Sequence, residues 1–223
     1  MLFKRVNKSK IFCLSMQRTG TTSVGKFFKE HGFKVAGWEV SNRNKWSYSW
    51  EQGDFETIFK SKDFKNNQVF EDDPWWLPEF YKVLYHRFPD SKFILFTRNE
   101  DAWFNSMMNH SGGKVLGNTK LHCKAYRREE DFFELIPDQK GRLDYDAKRI
   151  DNLLELRGYE EHYKKIYNIR NQEIKDFFAK KSSRSLFTCE LEDSSKWSKL
   201  AQFMGLKISG GLEVHENKSI KSI

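Results

Sequence analysis

Residues 10–25, Lys-Ile-Phe-Cys-Leu-Ser-Met-Gln-Arg-Thr-Gly-Thr-Thr-Ser-Val-Gly, constrain this chain more than any other stretch. Ile11, Phe12, Cys13 and Leu14 form an apolar run suited to a strand covered on both faces, and after Gly20 the apolar residues Val24, Phe27 and Phe28 change to helical spacing. The chain must therefore turn sharply near Arg18 to Thr21. A helix starting there presents amide N–H groups and the positive end of its dipole, with the hydroxyls of Thr21, Thr22 and Ser23 at the same place. Gly20 lets the backbone approach a ligand closely. Such a turn holds anionic phosphate; a strand-to-helix connection that binds nothing is the alternative.

The rest of the chain alternates in the same way. Phe33 to Trp38 is read as a second strand and Glu51 to Phe59 as a short helix. Between them Trp46, Tyr48 and Trp50 either stack on a sugar or base or pack a long loop onto the core. Gln68 to Phe70 is a strand end leading into Glu71-Asp72-Asp73, then Pro74 and the pair Trp75-Trp76. Pro78 to Phe88 has helical spacing, and Phe93 to Phe96 is the clearest central parallel strand. Asn99 to Met108 is helical, closed by Ser111-Gly112-Gly113; Asp144 to Lys181 is largely helical, in one piece or in two parted near Gly158. Ser185 to Cys189 is a last strand, and Trp197 to Met204 a final helix ending at Gly205. Strands alternating with helices predict parallel β-α-β units, hence an α/β fold with a central, mostly parallel sheet.

A chain of 223 residues can bury one substantial core and is read as a single domain spanning residues 1–223. The net charge of +8 suits an anionic ligand, a nucleic acid or an acidic polymer without choosing among them. Its basic residues are scattered; the densest N-terminal cluster, Lys4 to Lys10, reads as a solvated terminus. Cys13, Cys123 and Cys189 are too few and too irregularly spaced for a disulfide framework or a zinc site, which points to a reducing, cytoplasmic setting. Cys13 and Cys189 sit in apolar runs as small core residues. The N-terminal apolar run is short for a secretory leader, and no stretch approaches a membrane span.

Set against the Walker A pattern G-x-x-x-x-G-K-[ST], the first segment has Ser15 at the first glycine, Gly20 at the second, Thr21 at the lysine and Thr22 at the magnesium-binding hydroxyl. The phosphate-bridging lysine of a nucleoside triphosphatase is missing, and a cation stands instead at Arg18. A second anchor follows the central strand: Arg98 lies at its C-terminal end, where open α/β sheets place ligands, and Ser106 follows on a helix. The planar fork of arginine suits two phosphate oxygens, although an ion pair with Glu100 or Asp101 is its other reading.

Arg18-Thr19-Gly20-Thr21-Thr22 resembles the 5'-phosphosulfate loop of the sulfotransferases that use 3'-phosphoadenosine 5'-phosphosulfate (PAPS), whose cytosolic members read Lys-Ser-Gly-Thr-Thr there. Lys92 to Arg98 followed by Ser106 is similar to the family's 3'-phosphate-binding strand and helix. Asp72-Asp73-Pro74, Phe88 to Lys92, Tyr159 to Tyr167 and Trp197 to Gly205 extend the likeness, to a compact soluble branch, over most of the chain. Arg18 replaces the usual lysine and Asn99 a common aspartate. The C-terminal Arg-Lys-Gly element is not evident; His215, Asn217 and Lys218 either substitute for it or belong to a frayed polar tail.

The resemblance implies a three-layer α/β/α fold of the P-loop nucleotide-hydrolase kind, with PAPS as co-substrate and no metal. The sulfuryl group would move to a hydroxyl or amine of a small-molecule, glycan or lipid acceptor by in-line displacement through a loose transition state. Donor contacts would fall on Arg18, Thr19, Gly20, Thr21, Thr22, Ser23, Arg98 and Ser106. Arg18 and the amides from Thr19 to Ser23 would neutralise charge growing on the departing 5'-phosphate. Asp72 is the first choice of base for an alcohol acceptor, with Glu71 and Asp73 as rivals and His110 as an alternative; a carboxylate beside Trp75 and Trp76 would have its pKa raised. Two other readings compete. A magnesium-dependent P-loop kinase would place Thr22 and Asp72 on the metal, against which the missing lysine argues. A non-catalytic module for anions or nucleic acid would use the basic surface, but nothing resembles an RNA- or DNA-reading motif.

Overall fold

The computed structural model describes residues 9–110, 120–135, 137 and 155–207. Among these, the residues up to Thr97 together with those from Ile174 onward form one unit, and Arg98–Glu173 the other.

The first unit is built on a five-stranded sheet of β1 (Ile11–Cys13), β2 (Val35–Ala36), β3 (Val69–Phe70), β4 (Lys92–Thr97) and β5 (Leu186–Glu190), in the order β2-β3-β1-β4-β5. Every pairing is parallel, with Phe12 opposite Phe70 on one side and Phe93 on the other. The sheet is thus wholly parallel, flanked by helices in a three-layer α/β/α arrangement. Successive side chains of a strand point to opposite faces. Ile11 and Cys13 therefore join Ile94 and Phe96 under α1 (Thr21–Glu30) and the terminal helix Lys196–Met204, where Phe27 and Trp197 stack at 5.3 Å. Phe12 points the other way, into an aromatic layer with Phe70 and Trp75 each at 5.3 Å and Phe93 at 5.7 Å. Gly205 ends the last helix in the left-handed conformation, as its spacing predicts.

Phe33 to Trp38 differs from its reading as a strand. Only Val35 and Ala36 pair with β3, and Trp38 already opens α2 (Trp38–Arg43). The helix expected over Glu51 to Phe59 is confined to α4 (Phe55–Lys60), with α3 (Trp46–Glu51) ending where it is expected to begin and α5 (Lys62–Asn66) following. Asp54 and Ser61 cap α4 and α5 by accepting from the amides of Thr57 and Phe64, which divides the stretch. The helix expected over Pro78 to Phe88 is α6 (Phe80–Arg87).

In the second unit, α7 (Glu100–Met108), α8 (Lys120–Ala125), α9 (Glu129–Leu135) and residues 160–173 of α10 (Glu160–Lys181) pack through aromatic rings. Trp103 stacks on Tyr167 at 4.3 Å, and the buried Arg128 guanidinium lies 3.7 Å from the Tyr159 ring while pairing with Asp131 at 2.7 Å. Ser111-Gly112-Gly113, residues 144–154 and His215, Asn217 and Lys218 lie outside the described residues. Cys13, Cys123 and Cys189 form no disulfide; burial pushes the Cys13 and Cys123 thiols up to about 12, and burial with the Asp193 charge raises Cys189.

Candidate functional site: the carboxyl edge of the sheet

The loop from Leu14 to Gly20 is fixed to β4. Leu14 donates its amide to the Ile94 carbonyl at 2.8 Å, and the Phe96 amide donates to the buried Ser15 hydroxyl at 2.7 Å, so a side chain continues the ladder after the strand has ended. Thr19, also buried, turns its hydroxyl inward onto the Met16 carbonyl. Arg18 and Gly20 both adopt positive φ, 65° and 81°. Only glycine takes that conformation readily. At Gly20 space adds a second requirement, since a Cβ there would stand 2.6 Å from Leu191 Cδ1 at the end of β5.

Gly20 is the N-cap of α1 and supplies no side-chain cap, and the first turn carries no acid. The positive end of this helix is thus not neutralised by its own sequence. Thr21 and Ser23 are buried at that end and Thr22 is exposed. Arg18, Thr19, Gly20, Thr21, Thr22 and Ser23 are therefore consecutive parts of one loop and helix start at the carboxyl edge of the sheet.

Because β3 lies beside β1, the three acids begin at this same edge. Asp72 is half-buried at φ 71°, its Oδ1 accepting the Asp73 amide at 2.8 Å. Asp73 precedes a cis peptide bond to Pro74 and accepts from the Trp76 indole at 2.5 Å. Glu71 alone is buried, and burial, reinforced by the Asp72 charge, pushes its carboxyl up to about 8 against the pull of Lys29 and of a hydrogen bond from Thr21. Trp75 packs into the aromatic layer and Trp76 bonds Asp73.

The second unit holds the remaining candidates. The Arg98 amide donates to the Tyr167 hydroxyl at 2.9 Å, and Asn99 caps α7 by accepting from the amides of Asp101 and Ala102 at 3.0 and 3.2 Å. A neutral Asn thereby fills the capping role that an Asp would have in this position. Ser106 is half-buried on α7, and His110 is exposed just beyond its end. Asp101 pairs with Lys164 at 3.0 Å, and Glu100 accepts from Asn168.

Among the clustered aromatics the packing alternative holds for Trp46 and Trp50, both buried, whereas Tyr48 remains 49% exposed and Trp38 56%. Sequence reasoning missed two contributors, the Ser15 anchor and the Leu191 wedge. Only Ser15 left a trace, as a hydroxyl directly after an apolar run.

Among the described residues no three His, Cys, Asp or Glu gather as a metal-binding group, and no helix is long and apolar enough to cross a membrane. No curated protein matches the chain. A family model described as a sulfotransferase domain matches residues 10–218, nearly the whole chain and all of the loop, strand ends and helices described above. With a strand-to-helix loop at the carboxyl edge of a wholly parallel sheet and a family match over nearly its whole length, this chain belongs to the sulfotransferase-domain family.

Proposed function

We propose that the protein transfers a sulfuryl group from PAPS to a hydroxyl or amine of a small-molecule, glycan or lipid acceptor. The observation that carries this reading is the uncapped amino terminus of α1 directly following Arg18 in a loop anchored to β4. Such a terminus offers amide donors and a positive dipole to an anion, and Arg18 adds a full charge. In the loose transition state of in-line transfer, negative charge grows on the oxygen bridging sulfur to the departing 5'-phosphate. Donors already in place stabilise that charge without reorganisation. Arg18 and the amides from Thr19 to Ser23 take this role, with the hydroxyls of Thr21, Thr22 and Ser23 beside them. Arg98 and Ser106 are assigned the 3'-phosphate on the family resemblance.

Asp72 is the proposed base. It is half-buried, at the same edge as the loop, whereas Glu71 is closed off from solvent and Asp73 is engaged by the Trp76 indole. Removal of the acceptor proton by a carboxylate raises the nucleophilicity of the attacking oxygen as the bond to sulfur forms.

Thermal unfolding tests the donor. Adenosine 3',5'-bisphosphate in EDTA is expected to raise the melting temperature, and Arg98→Ala to remove most of that rise. A requirement for ATP with magnesium would instead establish the kinase reading, and an unchanged rise in Arg98→Ala would take Arg98 out of the site.

A further inference from the structure

Glu71 has no part in the transfer chemistry above, yet it lies directly against the helix that presents the amides. It is 7% exposed, and its Oε2 meets no hydrogen-bond partner. Two glycines make room for its side chain. A Cβ on Gly25, within α1, would stand 3.2 Å from its Cγ and Oε1, and one on Gly37, after β2, would stand 2.4 Å from Oε1. Gly37 has φ −101°, open to any residue, so glycine is needed there for space alone. Thr21, the first residue of α1, acts on the carboxyl and pulls its pKa down against burial. The charged and titratable groups that act on it are Lys29 from α1, Asp72 from its own strand end and the Cys13 thiol from β1, which stays neutral.

We propose that Glu71 is a positioning residue for the donor: as a neutral carboxyl buried against α1 it leaves the positive end of that helix to the anion, and as a carboxylate it opposes anion binding. The inference rests on the donor reading above. A carboxyl pushed up to about 8 keeps its proton at pH 7 and sheds it as the pH rises further. Its folded pKa lies above the ordinary glutamate value of 4.5, so the stability it contributes is complete below that value and is lost as pH rises through about 8. Anion affinity declines over the upper part of this window, because a like charge arrives beside the first turns of α1.

Calorimetric titration of the full chain with adenosine 3',5'-bisphosphate between pH 7 and 9.5 tests this, a range in which the ligand phosphates, with a second pKa of about 6, are already ionised. The dissociation constant of the natural chain is expected to rise about tenfold, the effect of a single added charge at partly screened distance. In Glu71→Gln, an uncharged isostere, the rise should fall below about twofold. Lys10, which burial brings down to about 8 at the opposite edge, titrates equally in both chains. At pH 8.5, measurements in two buffers of different ionisation enthalpy should show proton uptake on binding in the natural chain and less in the variant. Equal pH dependence in the two chains overturns the inference and leaves the donor reading intact. Absence of bisphosphate binding by the natural chain at every pH overturns both. Should Glu71→Gln not fold, Gly37→Ala, whose methyl displaces Oε1, is expected to weaken binding at pH 7; an unchanged constant overturns the proposal.

Discussion

The two edges of the parallel sheet handle charge in opposite ways. At the amino edge the Lys10 ammonium reaches the carbonyls of Phe64 at 2.7 Å and Asn67 at 2.5 Å, 4.9 Å from the Phe64 ring centre, and Lys92 donates to the Arg184 carbonyl at 2.9 Å. Those cations are consumed in closing the fold. At the carboxyl edge Arg18, Gly20 and Asp72 hold positive φ, α1 begins uncapped, and the Glu71 carboxyl is buried with one oxygen unpartnered. Strain and unsatisfied polar capacity persist in a native structure where a ligand or a reaction makes use of them. On the proposed reading, the same sheet keeps one edge for stability and the other for chemistry.

Substitutions at each edge can break or sharpen that division. The largest effect is expected from Asp72→Asn, which should lower the transfer rate by about 10²- to 10⁴-fold while donor binding persists, read by single-turnover assay beside bisphosphate titration. Retained turnover would pass the base role to another group. Arg18→Ala should cost about 10²–10³-fold in kcat, as loss of a transition-state donor does, with little change in unfolding midpoint. A rate loss accompanied by an equal loss of stability would blur the contrast. Gly20→Ala imposes a left-handed alanine at a cost of about 1–2 kcal/mol, to which displacement of Leu191 adds, measurable by denaturant unfolding.

Lys10→Met carries the argument to the other edge. It leaves main-chain carbonyls without their donor and should destabilise by about 1 kcal/mol, the partial exposure of the site keeping the figure small, with kcat and KM unaltered. A changed kcat would show that the amino edge also serves the reaction. Trp38→Ala is the mildest, since this exposed ring at the start of α2 should affect only the acceptor KM, by about tenfold or less if it stacks on the acceptor.

The sequence made the working edge legible wherever local pattern governs structure. The apolar run of β1, the switch to helical spacing after Gly20 and the long run of β4 each follow from periodicity, so the loop and the strand-end positions of Asp72 and Arg98 were readable directly. Contacts between distant segments were not. Trp46 and Trp50 stand in a polar stretch, yet the sheet's aromatic layer draws Trp46 inward, where it meets Trp75 at 5.4 Å. In the sequence Glu71 is only a rival of Asp72 within a run of three acids. Its isolation depends on the absent side chains of Gly25 and Gly37, which come together only in the folded sheet. The second strand reads too long in the sequence, over Phe33 to Trp38, because only Val35 and Ala36 find a partner before the chain turns into α2.

The Phe96 amide finds its acceptor in the Ser15 hydroxyl at the position where a nucleotide-hydrolase loop carries glycine. A Walker sequence transplanted here would strand that donor in the interior, a loss of about 1–3 kcal/mol before any ligand is offered. The loop is therefore committed to its own sheet, and turning this scaffold toward triphosphate chemistry would require rebuilding the neighbouring strand along with the loop.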